Sequence, residues 1–427
     1  MVVPDHSPTG IQDIMANTGS AIADRRLNSW KEIGTFFNRD ERTVKRWEAA
    51  RGLPVHRVPG RGGTKVFGFV GELTAWLKGG GASMTAPATA PLPAPTVPHI
   101  GAARSTDPQA RELYLAGMYY YNMQTAEGID RALHHFTHAI TIDPHYAEAF
   151  VGLALCYTQL RRLTVMPDDD AYARARTAVE RAVTLDDRLP EAHSLLGVVM
   201  FYGAWDVKGA LAAFQRALQL DPKSSLAHHR YALALLHMGR FAQALDEITT
   251  AQTLNPVYRS VLADKGRILF HAGQRADAMA VLTQLAVASP DFLPPHAYLA
   301  AIRLSLGDHA LYLAALLRVV CLRGDEAGYE TALAGQRGLE QGGPAAMAAA
   351  MLAERKRLHG AGTSSTYDLA QAHALTGDGA AALAGLRLAF ERRESAVLNL
   401  VIDPAFNLLH RDPGFLVLVN RLGFRLR

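Results

Sequence analysis

Cysteine is nearly absent: Cys156 and Cys321 are the only two in the 427 residues. Both sit in apolar helical contexts, and two thiols cannot build a disulfide framework, so the pattern predicts a chain for a reducing compartment. Long apolar runs are missing too. Ala345–Ala353 is apolar but Ala-rich and far short of the roughly 18 residues a membrane span needs. Met1–Asp13 is polar, with Asp5 and Asp13 and neither a basic nor an apolar stretch, so it is not expected to be a secretory leader. The expectation is a soluble cytoplasmic protein with no membrane partner.

Excess positive charge is also missing from most of the chain. The formal net charge is +4, yet Asp24–Lys78 holds twelve Lys/Arg against six Asp/Glu, and residues 79–427 sum to zero. A polyanionic partner is therefore expected at the N-terminal segment and nowhere else. Catalytic signatures are absent as well. His134 and His138 share a helix face at the i, i+4 spacing that can bind a metal, but no third ligand and no H-E-x-x-H accompany them. Gly60–Lys65 lacks the spacing of a phosphate-binding loop. No dyad of nucleophile and base stands out, and the chain is read as a non-enzyme without cofactor or metal.

Residues 1–26 carry no periodicity and read as a disordered lead-in. Structure is expected from Ser29, an N-cap with Glu32 three residues on. Trp30, Ile33, Phe36 and Phe37 recur on one side of a short helix, and Asn38-Arg39-Asp40 makes a turn. In a second helix, Glu41–Arg51, Val44 and Trp47 share one side. Arg42, Lys45, Arg46 and Ala49 fall opposite them at 100° per residue. Gly52 and Pro54 end that helix. Two short strands, Val55–Pro59 and Lys65–Val70, flank a Gly/Arg turn, and Glu72–Lys78 closes the module with Leu73, Trp76 and Leu77 inward.

The order S-W-K-E-I, R-T-V-K-R-W-E, G-L-P-V-H-R, a Gly/Arg hairpin and E-L-T-A-W-L resembles the winged helix-turn-helix of the MerR/excisionase type over residues 27–78. One departure is the turn, Asn38-Arg39-Asp40, where that family often has Gly. The resemblance implies double-stranded DNA as partner. Thr43, Lys45 and Arg46, beside Arg42, would approach the major groove, and Arg61 and Lys65 in the wing would touch phosphate or the minor groove. The alternative for this segment is a basic module that docks another protein.

Residues 79–104 contain five prolines and no helical period, a linker of polyproline II character. Beyond it the chain repeats itself. Pro144, Asp187, Pro222, Pro256 and Pro290 end successive units at steps of 43, 35, 34 and 34 residues. The spacing and the placement of small residues resemble tetratricopeptide (TPR) repeats over roughly 110–395. The signature is clearest in Tyr231-Ala232, Gly239, Ala244, Ile248, Ala251 and Pro256, and again in Gly266, Gly273, Ala278, Leu282 and Pro290. The nine extra residues of the second unit are placed in Arg161–Asp170. Residues 324–362 read as Ala-rich helix without register, and the tail after residue 400 as a capping helix pair on the last open face.

The expected architecture is thus mainly α: a small N-terminal winged helix-turn-helix, a Pro-rich linker, and a TPR α-solenoid superhelix over 105–427 with C-terminal capping helices. The groove of such a solenoid is lined by first-helix residues, here His229, Arg230, Leu233, Arg267, Phe270, His271 and Arg303, a cationic and aromatic set suited to an acidic or C-terminal peptide. The Lys/Asn carboxylate clamp of chaperone-binding TPR proteins is not visible. The leading expectation is a transcriptional regulator whose solenoid binds a protein or peptide or forms a homodimer. The rival is a TPR scaffold whose basic module docks another protein.

Overall fold

The computed structural model describes residues 26–27, 29–36, 41–51, 53–60, 63–69, 73, 105, 107–163 and 166–426. Contacts divide the chain into two units between Ala94 and Pro95.

In the first unit, strand β1 (Arg26–Leu27) precedes helices α1 (Trp30–Phe36) and α2 (Glu41–Arg51), and a hairpin of β2 (His56–Gly60) and β3 (Gly63–Phe69) follows. The sheet is antiparallel in the order β1-β3-β2, with Leu27 opposite Gly68 and His56 opposite Phe67. Ser29 caps α1 as its spacing suggests: its Oγ accepts the Glu32 amide at 3.1 Å. The core is small. Leu27, Ile33, Val44, Leu53, Val66 and Leu73 are buried, and Trp30, Phe36 and Trp47 pack around them half-buried. The expected turn at 38–40 and helix at 72–78 lie outside the described residues apart from Leu73, which is helical and buried.

The second unit holds eight helical hairpins among the described residues. They pair α3 (Pro108–Tyr121) with α4 (Ala126–Ile142), α5 (Ala147–Arg162) with α6 (Asp168–Leu185), and α7 (Pro190–Val198) with α8 (Val207–Leu220). Next come α9 (Ser225–His237) with α10 (Phe241–Leu254), α11 (Arg259–His271) with α12 (Arg275–Ala288), and α13 (Leu293–Leu306) with α14 (His309–Arg323). Helix α15 (Glu326–Gly360) breaks at Gly342 and Gly343, whose backbone is not helical, so Pro344 starts a second helix. The two halves fold back on each other: a Cβ on Gly335 would lie 2.8 Å from Met351 Cγ. The stretch without register in sequence is therefore one more hairpin, whose turn is Gly-Gly-Pro. Helices α16 (Thr366–Leu375) and α17 (Gly379–Glu391) form the last. The extra residues of the second unit are spread over long helices of 16 and 18 residues and the loop between them.

Several hairpins close where a glycine faces a large side chain. Phe136 on α4 is fully buried between Gly117 on α3 and Gly152 on α5, where an added Cβ would stand 2.7 Å and 2.6 Å from the ring. Phe214 meets Gly197 and Leu282 meets Gly266 in the same way. Density at the level of an organic crystal leaves no room to absorb a methyl there.

The tail differs from the expected capping pair. Two 3-10 turns, Ser395–Asn399 and Pro404–Leu409, lead into one helix, α18 (Pro413–Arg421). These pack on α17 and also return to earlier hairpins, so Phe406, Phe415, Leu418 and Phe424 share one apolar cluster with Phe201, Phe214, Leu235 and Ile248.

The Phe136 geometry makes a testable statement. Gly152→Ala raises helix propensity by about 1 kcal/mol, but the ring is held from both sides and overpacking costs about 1–3 kcal/mol. Urea denaturation should show a net loss, with Phe136→Leu recovering part of it in the same background. A Gly152→Ala chain as stable as the parent would refute the packing account.

Candidate functional site

Each unit presents one candidate surface. In the first unit it is the outer face of α2. Val44 is buried, Thr43 half-buried, and Arg42, Lys45 and Arg46 are exposed. Lys45 is anchored: its Nζ lies 3.3 Å from Glu41 Oε2 and 5.6 Å above the Trp30 ring. Arg42 and Arg46, one turn apart, form the outward cationic pair. An exposed i, i+4 ion pair contributes only a few tenths of a kcal/mol, so Lys45 exchanges Glu41 for another anion at little cost. Lys65 stands opposite Val58 in the hairpin. Its side chain, and Arg61 altogether, lie outside the described residues.

In the second unit the candidate surface is the inner face lined by first helices, and its side chains are engaged within the chain. His229 Nε2 on α9 is 2.7 Å from Asp264 Oδ2 on α11, and the Tyr298 hydroxyl on α13 donates to Asp264 Oδ1 at 2.5 Å. Arg267 lies 4.9 Å over the Tyr298 ring and donates to Asn399 Oδ1 of the tail at 3.3 Å. Arg230 donates to Ser194 Oγ at 3.1 Å. His271 stacks on Phe241 at 5.4 Å and meets Phe270 edge-on. Arg303 donates to the Leu311 carbonyl within its own hairpin. Beside Phe270 and His271 a cleft of about 280 Å³ remains, closed on its far side by Val401, Ile402 and His410 of the tail.

The tail is also held by polar contacts. Asp403 accepts from the Tyr367 hydroxyl and from Gln371 Nε2, both at 2.9 Å, and burial pushes its carboxyl upward. His237 Nδ1 lies 3.1 Å from the Leu398 carbonyl. A carbonyl only accepts, so Nδ1 carries the proton. Burial, helped by nearby Arg267, pushes the imidazole down to about 3. Cys156 and Cys321 are both buried, and burial raises the Cys156 thiol.

Asp264, Tyr298, His237 and Asp403 carry this face, and reasoning from cationic and aromatic residues passed over all four. A signal was present: His229, Asp264 and Tyr298 are separated by 35 and 34 residues, the repeat step itself. Residues one step apart on consecutive first helices become neighbours.

Comparison with known proteins identifies TPR repeats in this unit: models of the tetratricopeptide repeat match residues 170–225 and 203–264. The transcriptional regulator HilA of Salmonella typhimurium is 26% identical over 144 residues, which is 34% of this chain and 26% of HilA. The human tetratricopeptide repeat protein 6 is 29% identical over 146 residues, again 34% and 26% of the two lengths. The chain thus spans about a quarter of the curated relatives it matches. Among solved structures, yeast Tom70 is similar with a TM-score of 0.43 at 15% identity, covering 76% of this chain and 70% of that one. No helix among the described residues is long and apolar enough to cross a membrane.

His237 sets a pH dependence. Its folded value lies below the ordinary 6.5, so its contribution is complete above pH 6.5 and is lost as pH falls toward 3. Asp264, Arg267 and His271 also face it, and their effects are common to parent and variant. Relative to His237→Asn, which keeps a donor for Leu398, the parent should lose about 2 kcal/mol between pH 6.5 and 5. Parallel melting curves across that range would contradict the assignment.

Proposed function

We propose that the chain is a DNA-binding transcriptional regulator, with a winged helix-turn-helix of the MerR/excisionase type in the first unit and a protein-binding TPR solenoid in the second. The observation that carries the reading is the exposed Arg42–Arg46 face of α2, the second helix of a strand-helix-helix-hairpin unit, in the one segment of the chain with excess positive charge. Such a helix brings cations to a groove while the hairpin reaches the flanking backbone. Thr43 and Lys45 lie beside that face; Arg61 and Lys65 belong to the hairpin. A likeness to a protein named as a transcriptional regulator is consistent with the reading, over a third of the chain.

A single module of this size reads few base pairs, so specific binding calls for a second copy or a partner held by the solenoid. The chain then works in the cytoplasm, beside its DNA. TPR repeats bind proteins, and a regulator with such an array responds to a protein or peptide signal.

Fluorescence anisotropy of the full chain with labelled mixed genomic fragments is the test. About three phosphate contacts give a salt slope near −3, or ~40-fold weaker binding between 50 and 200 mM salt. Arg42→Ala/Arg46→Ala should abolish the signal without lowering Tm. Absence of binding at low salt would leave the TPR scaffold, with a basic module that docks protein, as the function.

A further inference from the structure

The last residues of the chain lie against the inner face as a bound peptide does. Gly423, with φ +73°, follows the end of α18, and the Phe424 amide closes the helix on the Val419 carbonyl at 3.0 Å. Phe424 is buried and stacks on Phe201, centroids 5.8 Å apart and planes 12° from parallel. The Arg425 amide donates to the Met238 carbonyl at 3.0 Å, while its side chain is exposed. Leu426 turns inward again and lines the cleft beside Phe270 and His271. Inward at 424, outward at 425 and inward at 426 is the alternation of an extended ligand.

The receiving surface is unlike the rest of the solenoid. Helix α7 widens into a π-helical turn at Val199–Ala204, which places Phe201, and ends at Trp205 in the left-handed region with φ 59°. Arg393, also at positive φ, lies 4.7 Å over the Trp205 ring and donates to the Gly203 carbonyl. π-turns inside helices are frequent at functional sites. The turn glycines make the same point. Gly239, Gly273 and Gly307 occupy equivalent repeat positions with φ of +76°, +90° and +77°. Space for a Cβ is open at Gly273 and Gly307, whereas at Gly239 a Cβ would overlap the Arg425 carbonyl oxygen.

We propose that Phe201, His237, Met238, Gly239 and the Phe270/His271 cleft form a peptide-binding site for an extended segment with an aromatic and an aliphatic residue two positions apart, and that Phe424–Leu426 fill it as a displaceable internal ligand. A partner's peptide of this kind enters by replacing Phe424–Leu426. The proposal rests on the solenoid being a peptide-binding surface and is independent of DNA binding by the first unit, which its readout does not involve.

The probe is a fluorescein-labelled peptide of residues 420–427, with a Phe424→Ser version as control. Deletion of residues 423–427, or Phe424→Ser in the full chain, should bind the probe saturably and at least tenfold tighter than the parent, and the control peptide should not bind. Gly239→Ala and Gly273→Ala, each added to the deletion, share the backbone penalty of a left-handed alanine, but only the first puts a Cβ where the Arg425 carbonyl of the probe would lie. Gly239→Ala should therefore weaken probe binding at least tenfold more than Gly273→Ala does. Failure of the folded opened variants to bind overturns the proposal, as does equal binding by the parent or an equal loss in the two alanine variants. In the unmodified chain, the Arg425 amide should exchange hydrogen at least tenfold faster than the Arg240 amide, which bonds within the α9 turn; a common rate overturns displaceability.

Discussion

A two-helix hairpin has more apolar face than it can bury against itself, and every feature of the second unit follows from that surplus. Each hairpin covers its neighbour, and the close approach this needs is made where glycine meets a ring, as Gly117 and Gly152 do around Phe136. Stacking passes the exposed face along the array without removing it. The tail supplies the cover: Phe406, Phe415 and Phe424 join the core of hairpins nearly two hundred residues earlier in the chain.

Polar groups on the inner face obey the same geometry with the opposite chemistry. A buried carboxylate such as Asp264 is costly unless its oxygens are bonded, and His229 and Tyr298 supply the partners from the helices on either side. Asp403 repeats the solution with Tyr367 and Gln371, fixing the tail to α16. The Asp264 bonds connect the first helices of three consecutive hairpins, so the middle of the inner face is a bonded surface. A cleft remains beside Phe270 and His271, where Leu426 lies.

The first unit works on a different scale. Its core of a few aliphatic residues ringed by Trp30 and Trp47 is just sufficient to fix α2, and the cations ride on the face the core does not use. Lys45 shows how closely structure and proposed function share residues: its ammonium braces α2 against Glu41 and Trp30, yet it stands next to Arg42 and Arg46. Output from the solenoid to this surface crosses a Pro-rich segment, so the proposed regulation depends on what the solenoid recruits.

Periodicity alone determined the helices, their pairing and the outward set Arg42, Lys45 and Arg46, because helical phase and the 34-residue step are local properties of the chain. The 324–362 region was illegible because alanine carries no phase, and its hairpin is announced only by Gly342-Gly343-Pro344. Tertiary structure alone decided which groove residues were already bonded and where the tail went. His237 meets Leu398 across 161 residues and Arg393 meets Gly203 across 190. No spacing in the sequence encodes such pairs; they exist because the segment after α17 folds back onto hairpins far earlier in the chain and buries its apolar side chains there.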